Sequence, residues 1–463
     1  MMGGITVAPP AVGDNPFYRF LAPLTLLSVQ TFDFPANATF GLLGGSWFRD
    51  AFTKEGEGDF VVAGSNVWDR MVIVRDCDMY LSGTITSSTG VDEGKLSDDK
   101  LKVDRENGIY VHMDTTGDTG LRRSTKDAIC TISNSVIERP FQIRTKNVST
   151  RDKFRCSPGT TNYFKAYFLS ADQTNNGLKI PSDSEVYFDG GGAFIWSFYL
   201  NGGGTAYFRD KPIKTLNSTV GLSLTGGTKA VFEVGGNTIK AMAIEGGTFD
   251  FRADDVVGTA GYLLVNANSS VLHLNSTIQK MGFVSNHVAR TSSYIDGDGA
   301  TLFITNNVAN KHSWIRIPFT GDVSLKVNTP SQVWLDSAAS TSTGNIAVER
   351  GTLEFRSGAS WTNVSEVAVS GTGTLKILAA SGVTARPAFG KKATVRLSDS
   401  GVISLPDGAT VWAKYLYVNG VLQPRGVYRY DTIQDATVKA HFDSASTGTL
   451  IVRGDGGFSL TIR

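Results

Sequence analysis

Two tryptophans, about one repeat apart, are the residues of this sequence best suited to hold a ligand. In the segment SWIRI that begins at Ser313, strand alternation points both isoleucines inward and points Trp314 and Arg316 outward. Trp334 is outward by the same argument and lies one repeat after Trp314. Two such rings on neighbouring coils would form a flat platform for sugar rings, whose C–H faces pack on aromatic side chains. We therefore predict carbohydrate binding by Trp314, Trp334 and Arg316. The alternative is that a loop or a partner strand covers the rings.

Asp250 and His273 are the candidates for acid–base chemistry. Each is the middle, outward residue of a short apolar triplet, and Arg252 follows Asp250 on the same strand. If the triplets stack, Asp250 would orient His273 as a general base; the alternative is an exposed carboxylate beside an exposed imidazole. Glycoside hydrolysis needs two carboxylates about 5–5.5 or 6.5–9.5 Å apart, and the outward triplet positions carry no carboxylate pair on neighbouring repeats. The catalytic residues therefore stay unassigned.

A second region that could carry catalysis lies in the irregular part of the chain before the regular repeats, near Glu138, Arg139, Arg144 and Lys146. The segment 144–155 is basic, with one acidic residue against five cations: Arg144, Lys146, Arg151, Lys153 and Arg155. Cations of this kind neutralise the carboxylate of a uronic acid in a lyase, or hold a sulfated or uronic glycan. The alternative is a solvated loop.

Neither a metal nor a cofactor is predicted. The segment from Asp296 to Gly299 reads DGDG and resembles part of a calcium loop, but calcium needs six to eight oxygen ligands and the motif occurs once. A solvated turn is the simpler interpretation. Cys77, Cys130 and Cys156 lack C-x-x-C spacing. They are expected to be buried reduced thiols, with one disulfide and one free thiol as the alternative.

A short apolar-x-apolar triplet that follows Gly, Thr or Ser must position these residues. Its nine copies begin at Ala206, Ala230, Phe249, Leu272, Leu302, Val323, Leu353, Leu375 and Val395. Most successive copies start roughly 19–24 residues apart and two gaps are longer, which is typical of a stacked solenoid with one unit per repeat. The sequence therefore predicts an all-β fold, a single-stranded parallel β-helix (β-solenoid) of about 20–23 residues per coil, right-handed as parallel crossovers are.

The remaining segments divide the chain into four parts. Residues 1–30 are predicted as an N-terminal cap, 31–200 as irregular coils with loop inserts, 201–397 as regular repeats and 398–463 as C-terminal coils and cap. The polar segments 87–107 and 144–162 are expected to be surface loops. An Asn419-Gly420 hairpin turn is expected after the strand that begins at Tyr415.

Composition limits the partners. The net charge is +1, so no global field favours nucleic acid. No apolar run reaches the length of about 18 residues that marks a transmembrane helix, and membrane insertion is therefore not predicted. Charged residues make up 19% of the chain and glycines number 51, which suits a fold of strands and tight turns.

The phrase Gly-Gly-Thr-φ-x-φ, where φ is apolar, starts at Gly246 and recurs in shorter form from Gly373 and Gly448. It resembles the strand repeats of autotransporter-type passenger domains and of other large secreted bacterial β-helix proteins. The resemblance covers the C-terminal part of the chain, a little over half of its length, and implies a location outside the cell or at the bacterial cell surface. It implies no catalytic residues, because such families share none.

Three functions are consistent with these residues. The favoured one is an extracellular β-helix that binds a polysaccharide or cell-surface glycan, or mediates adhesion, without chemistry of its own. The second is a polysaccharide lyase or glycoside hydrolase with its site on the β-helix face. The third is a structural module of a larger surface protein. The sequence leaves the oligomeric state open.

Overall fold

The computed structural model describes residues 5–6, 16–75, 77–88, 96–97, 102–103, 109–114, 129–146, 154–170, 176–195, 197–215, 221–258, 261–285, 292–305, 312–336, 339–379, 388–406 and 408–455. The chain divides into two compact units, Met1–Thr248 and Phe249–Arg463. In each unit, short strands from successive coils pair in parallel. The predicted all-β parallel β-solenoid is therefore confirmed.

In the first unit the coils contribute three runs of hydrogen-bonded parallel strands. Run A comprises Phe17–Phe20, Thr39–Leu42, Asp59–Val62, the first parts of Met79–Thr86 and Cys130–Ile137, Phe154–Cys156, Asn176–Lys179, Phe198–Asn201, Leu222–Thr225 and Ala241–Glu245. Run B comprises Leu24–Leu26, Ser46–Phe48, Ser65–Trp68, the second parts of Met79–Thr86 and Cys130–Ile137, Thr161–Phe164, Glu185–Phe188, Thr205–Phe208 and Lys229–Phe232. Run C comprises Ile5–Thr6, Gln30–Asp33, Phe52–Glu55, Val72–Arg75, Ile109–Asp114, Phe141–Lys146, Phe168–Ser170, Gly192–Phe194 and Ile213–Thr215.

The second unit repeats this plan, and several of its strands are long enough to serve two runs. Run D comprises Tyr262–Val265, Phe283–Ser285, Ser313–Ile315, the second parts of Asp322–Asp336, Ile346–Arg356 and Glu366–Ile377, and Val402–Ser404. Run E comprises Ile278–Met281, Asp298–Ile304, the first parts of the same three long strands, Thr394–Leu397 and Tyr415–Val418. Run F comprises the pair Val271–His273 and Tyr294–Asp296 and the pair Ala339–Ser340 and Ser360–Trp361. Phe319 connects the two pairs, because it bridges to Ile295 and its carbonyl accepts from Thr341 N.

Alternating apolar residues build the core of each unit. In run B, Phe164, Phe188, Phe208 and Phe232 stack coil on coil, with ring centroids 5.3, 5.1 and 4.7 Å apart. All four rings are buried. Full burial of such a side chain contributes about 1.5–3 kcal/mol, so these columns are a main source of stability.

The triplets of the second unit lie in strands with their flanking residues inward, as predicted; Leu274 directly follows its strand, and Leu272 and Leu274 are both fully buried. Both of the longer gaps between triplets fall where the triplet moves to a different run. The copy at Leu272 lies in run F and the next, at Leu302, in run E; the copy at Val323 lies in run E and the next, at Leu353, in run D. The spacing between triplets in the sequence is therefore irregular because the triplets belong to three different runs of strands.

Strands also occur in the N-terminal stretch and within the two polar segments that were expected to be loops. Within residues 1–30, Ile5–Thr6 pairs with the coil strand Gln30–Asp33, and Phe17–Phe20 pairs with Thr39–Leu42. The predicted loop 144–162 is strand at both ends, because Phe141–Lys146, Phe154–Cys156 and Thr161–Phe164 all pair in coils; residues 147–153 lie outside the described part. Within 87–107, the short strands Leu96–Ser97 and Lys102–Val103 pair antiparallel.

The C-terminal segment closes with antiparallel pairing. Tyr415–Val418 turns through Asn419 and Gly420 into Val421–Leu422, which confirms the predicted hairpin. Thr449–Val452 pairs in parallel with Thr410–Ala413 and antiparallel with Gly426–Tyr428. A four-residue helix, Ala436–Lys439, was not predicted; Asp435 caps its N-terminus by accepting from Thr437 N and Val438 N.

Candidate functional site

Trp314 and Trp334 lie directly opposite each other on neighbouring strands of run D. Both side chains are half-buried while Ile315 and Leu335 are buried, so the predicted outward orientation is confirmed. The indole rings meet at 89° with centroids 5.5 Å apart, an edge-to-face contact. The expectation of one flat platform is therefore wrong, because strand alternation fixes the side on which a ring lies but not its rotamer.

One guanidinium group lies over each indole, and an imidazole stacks on Trp334. The Arg316 Cζ lies 4.0 Å from the Trp314 ring centroid, and the Arg356 Cζ lies 3.7 Å from that of Trp334. The His312 ring stacks on Trp334 at 4.6 Å. His312 comes from the coil before Trp334 and Arg356 from the coil after it, so this indole is contacted from both neighbouring coils.

Two carboxylates hold these cations in place. Asp336 Oδ2 accepts hydrogen bonds from Trp314 Nε1 at 2.8 Å and from Arg316 Nε and Nη2 at 3.0 and 2.9 Å. Glu354 lies opposite Trp334 on the next coil. Its Oε1 accepts from Arg356 Nε at 2.5 Å, and its Oε2 lies 3.4 Å from the Nζ of Lys376. Both carboxylates face outward but are buried beneath the cations that they bind.

We call this group the Trp334 cluster. It contains His312, Trp314, Arg316, Gln332, Trp334, Asp336, Glu354, Arg356 and Lys376. Gln332 belongs to it because its Oε1 accepts from Trp334 Nε1 at 2.9 Å. The sequence identified Trp314, Arg316 and Trp334, and the structure brings the three together. It missed the anchoring carboxylates and Arg356, although outward positions two residues apart on the next repeat, Glu354 and Arg356, were a usable signal.

A related cluster occurs in run B of the first unit. Tyr163, Tyr187 and Tyr207 occupy one outward column, with ring centroids 4.9 and 4.5 Å apart and planes within 14°. Asp189, two residues after Tyr187, accepts from Arg209 Nε at 2.5 Å and from Arg209 Nη2 at 3.0 Å. Asp189 also pairs with Lys165 Nζ at 2.9 Å. We call this group, with Glu185, the Tyr187 cluster.

The two clusters share a local sequence. Residues 185–189 read EVYFD and residues 332–336 read QVWLD. In each, the first side chain accepts from the central aromatic and the last holds a cation from the preceding coil. In each, the arginine of the following coil lies over the central ring, with Arg209 Cζ 4.3 Å from Tyr187.

Ion pairing alters the titration of the Tyr187 cluster. Burial alone would raise the pKa of Asp189, but its hydrogen bonds to Arg209 and Lys165 outweigh burial, so its pKa lies below the ordinary value. The pKa of Tyr187 is raised, first by burial and then by its hydrogen bond to Glu185. Asp189 is therefore an ionised anchor that ties three coils together.

The clusters differ in what they leave accessible. In the Tyr187 cluster the third aromatic position is Tyr207, and three parallel rings cover one another. In the Trp334 cluster the corresponding position is Glu354, and the two indoles are perpendicular. A column of parallel rings is a stabilising device, whereas the second arrangement exposes an uneven surface of indole edges and guanidinium groups.

The predicted pairing of Asp250 with His273 is wrong. Asp250 is buried, and its carboxylate accepts from Asn275 Nδ2 at 2.7 Å and from Arg252 Nη2 at 3.2 Å. His273 Nδ1 instead lies 3.2 Å from Asp296 Oδ2 on the next coil of run F. The expectation of an exposed carboxylate at Asp250 is also wrong, because the side chains of Asn275 and Arg252 bind it and it is buried on the outer wall.

The remaining candidate sites are the basic segment with Glu138 and Arg139 and the DGDG segment at Asp296. The Glu138 and Arg139 backbone lies between coil strands, while the side chains of Arg144 and Lys146 and all of residues 147–153 fall outside the described part. Asp296 Oδ1 accepts from Thr320 Oγ1 at 3.0 Å, so its carboxylate is engaged within the protein. Among the described residues, no group of three or more His, Cys, Asp or Glu side chains is placed to hold a metal ion.

The cysteines are as expected. Cys77, Cys130 and Cys156 are free and buried. Burial raises the pKa of each thiol, that of Cys77 to about 11. Cys77 lies near the amine of Lys54, which is fully buried and donates to Gly56 O and Gly58 O at 2.8 and 2.5 Å.

Comparison of the chain with protein-family models, curated proteins and solved structures finds no match. In the described part of the chain, no helix has the length and apolar character to span a bilayer. The parallel pairing of strands from successive coils defines the chain as a parallel β-solenoid.

Proposed function

We propose that this β-solenoid binds a polysaccharide through the Trp334 cluster, outside the cell or at a bacterial cell surface, and does so without catalysis. The observation that carries the proposal is the pair of half-buried indoles on neighbouring coils, each in contact with a guanidinium group. Aromatic rings offer a large apolar contact area and arginine supplies directed hydrogen-bond donors, so the two together can hold both the C–H faces and the oxygens of a sugar. The resemblance to secreted bacterial β-helix repeats supports the proposed location.

The hydrogen bonds of the cluster favour binding over hydrolysis. A glycosidase uses one carboxylic acid as a proton donor and a second carboxylate as base or nucleophile. Here Asp336 and Glu354 are occupied by Trp314, Arg316, Arg356 and Lys376. Carboxylates held by guanidinium groups serve to orient those groups. The two indole N–H groups are also engaged, so a sugar would contact ring carbons and guanidinium donors.

The proposal is tested by electrophoresis of the protein through gels that contain dextran, polygalacturonate or dextran sulfate. Retardation by at least one glycan is expected, and Trp334→Ala should weaken the apparent affinity by about tenfold, the equivalent of roughly 1.4 kcal/mol. Trp412→Ala is the matched control, because Trp412 is also outward, with the Arg453 Cζ 3.2 Å from its ring centroid, but lies outside the cluster. Equal retardation of both variants, or none of the native protein, would refute the proposal.

One observation favours a polysaccharide lyase as a second candidate. The His273 Nδ1 contact with Asp296 leaves Nε2 as a general base on a half-exposed outward face, and the Tyr294 ring lies edge-on to the imidazole with centroids 6.2 Å apart. Incubation with polygalacturonate should then produce ultraviolet absorbance from unsaturated uronides. That signal, abolished in His273→Ala, would replace the binding proposal with catalysis; its absence would remove the lyase.

A further inference from the structure

We propose that the Trp334 cluster selects polysaccharides that carry anionic groups, whether uronate carboxylates or sulfate esters. This inference rests on the proposed function and names its ligand class. It starts from the unequal depth of the charges. The side chains of Glu354 and Asp336 are 2% and 8% exposed, whereas those of Arg356 and Lys376 are 29% and 37% exposed. Solvent, or a ligand, therefore meets the cations and not the carboxylates.

Arg356 is oriented to receive an anion. Its Nε donates to Glu354 and its guanidinium plane lies over the Trp334 indole. No described residue accepts a hydrogen bond from its Nη1 or Nη2 group. This guanidinium is already fixed at one nitrogen and against an aromatic face, so it loses little conformational freedom when it binds a ligand. Its two remaining NH2 groups match the oxygens of a carboxylate or a sulfate.

Lys376 adds a second cation on the following coil. Glu354 pairs in register with Lys376, so their strands are neighbours, about 4.8 Å apart. The Lys376 Nζ contact with Glu354 is long, at 3.4 Å, which leaves the ammonium donors poorly satisfied by this carboxylate. Arg356 and Lys376 thus extend along the axis on which coils stack, the direction in which a linear polyanion would lie.

The Tyr187 cluster shows how the same local sequence behaves without such a site. Arg209 there directs two nitrogens to Asp189, and Lys165 is paired with the same carboxylate at 2.9 Å. Its cations are therefore used to tie coils together. Arg209 provides a matched control for Arg356, since both lie over the central aromatic ring of a cluster.

The test compares polyanions with their uncharged counterparts on the full chain. Dissociation constants are measured for polygalacturonate and its carboxyl-reduced form, and for dextran sulfate and dextran. At least one charged member should bind about tenfold or more tightly than its neutral counterpart, with affinity that falls as salt rises. A difference between polygalacturonate and its carboxyl-reduced form would indicate a carboxylate ligand. A difference between dextran sulfate and dextran would indicate a sulfate ligand.

Two substitutions localise the effect. Arg356→Lys keeps a cation for Glu354 but removes the forked donors, and should weaken polyanion binding by about tenfold; Lys376→Gln should weaken it and reduce the salt dependence. Arg209→Lys should bind as the native protein does.

Equal affinity for charged and neutral members would overturn the anionic selectivity and leave the binding function standing, whereas no binding of any glycan would overturn both. If Arg356→Lys does not fold, Lys376→Gln decides, and unchanged salt dependence in it contradicts the inference.

Discussion

Arg356 contacts Trp334 with its Cζ 3.7 Å from the ring centroid while its Nε donates to Glu354, the residue that occupies the position of Trp334 on the next coil. One side chain therefore joins an aromatic residue and a carboxylate on adjacent coils. In a solenoid, where each coil contacts only its neighbours, such outward links supplement the apolar columns. They also make the outer wall sensitive to single substitutions.

Asp336→Asn should destabilise the protein by about 1–3 kcal/mol, because it leaves Arg316 and Trp314 Nε1 with a poorer acceptor on a mostly buried site. Chemical denaturation measures the change. Asp298→Asn is the control, since Asp298 is exposed and lies opposite another carboxylate, Asp322; it should leave stability unchanged or raise it slightly. A loss at Asp298 equal to that at Asp336 would contradict the role assigned to the buried acceptor.

Asp189 should make the protein sensitive to acid. Its folded pKa lies below the ordinary value of 3.8, so the stability from its ionisation is fully present above pH 3.8 and is lost as the pH falls through the folded pKa. The stability difference between the native protein and Asp189→Asn should therefore be constant near neutral pH and shrink below pH 3.8. Urea denaturation at several pH values measures it. A difference that grows in acid would mean that Asp189 is not held ionised by Arg209 and Lys165.

Buried thiols should make the protein sensitive to alkali. Burial raises the Cys130 pKa above its ordinary value of 9.0, so the stability from keeping this thiol protonated is complete below pH 9.0 and is lost as the pH rises. The stability difference between the native protein and Cys130→Ala, measured under reducing conditions, should shrink above pH 9.0 by at most about 1.4 kcal/mol per pH unit. Val62→Ala, also in the run A core, is the control and should show a constant difference.

The buried amine of Lys54 acts in the opposite direction. Burial lowers its pKa from 10.5, so the unfolded chain holds this proton more tightly and stability from Lys54 rises with pH up to about that value. The native protein's total alkaline response is therefore a sum of opposing parts, and the variant difference is the quantity to measure.

Strand alternation predicted the interior of the fold well because it is a local property. Leu353 and Phe355, for example, are buried as their spacing of two requires. The exposure of Glu354, between them, is not local: it depends on Arg356 and on Lys376, which lies one repeat later on the next coil. Sequence alternation could place Glu354 on the outer wall but could not show that its neighbours would cover it.

The sequence likewise predicted which residues of the candidate site are neighbours but not how their side chains are arranged. The register of Trp314 with Trp334 follows from their separation by one repeat, and it is confirmed. The perpendicular ring contact depends on side-chain rotamers and on His312 and Arg356 at the indole faces. Together with Trp334, these two partners come from three coils, and the register between coils shifts at bulges, as between Val327 and Gln332. A single sequence gives no measure of such shifts.

Glycines at coil corners give the sharpest test of close stacking. Gly351 and Gly420 both have φ of +80°, so alanine at either position incurs the left-handed penalty of about 1–2 kcal/mol. A Cβ at Gly351 would overlap the carbonyl oxygen of Thr329 on the neighbouring coil, whereas a Cβ at Gly420 would meet no atom within 4 Å.

Gly351→Ala should therefore cost clearly more than Gly420→Ala, by about 1–3 kcal/mol as overpacking typically does, and the excess measures contact between coils alone. Thermal and urea unfolding of the two variants provide the comparison. Equal losses would mean that the coils at Gly351 can separate without cost. That result would conflict with the register of Gln332 with Thr352 in run D, which joins the coils of Thr329 and Gly351 and on which the position of Glu354 and Arg356 depends.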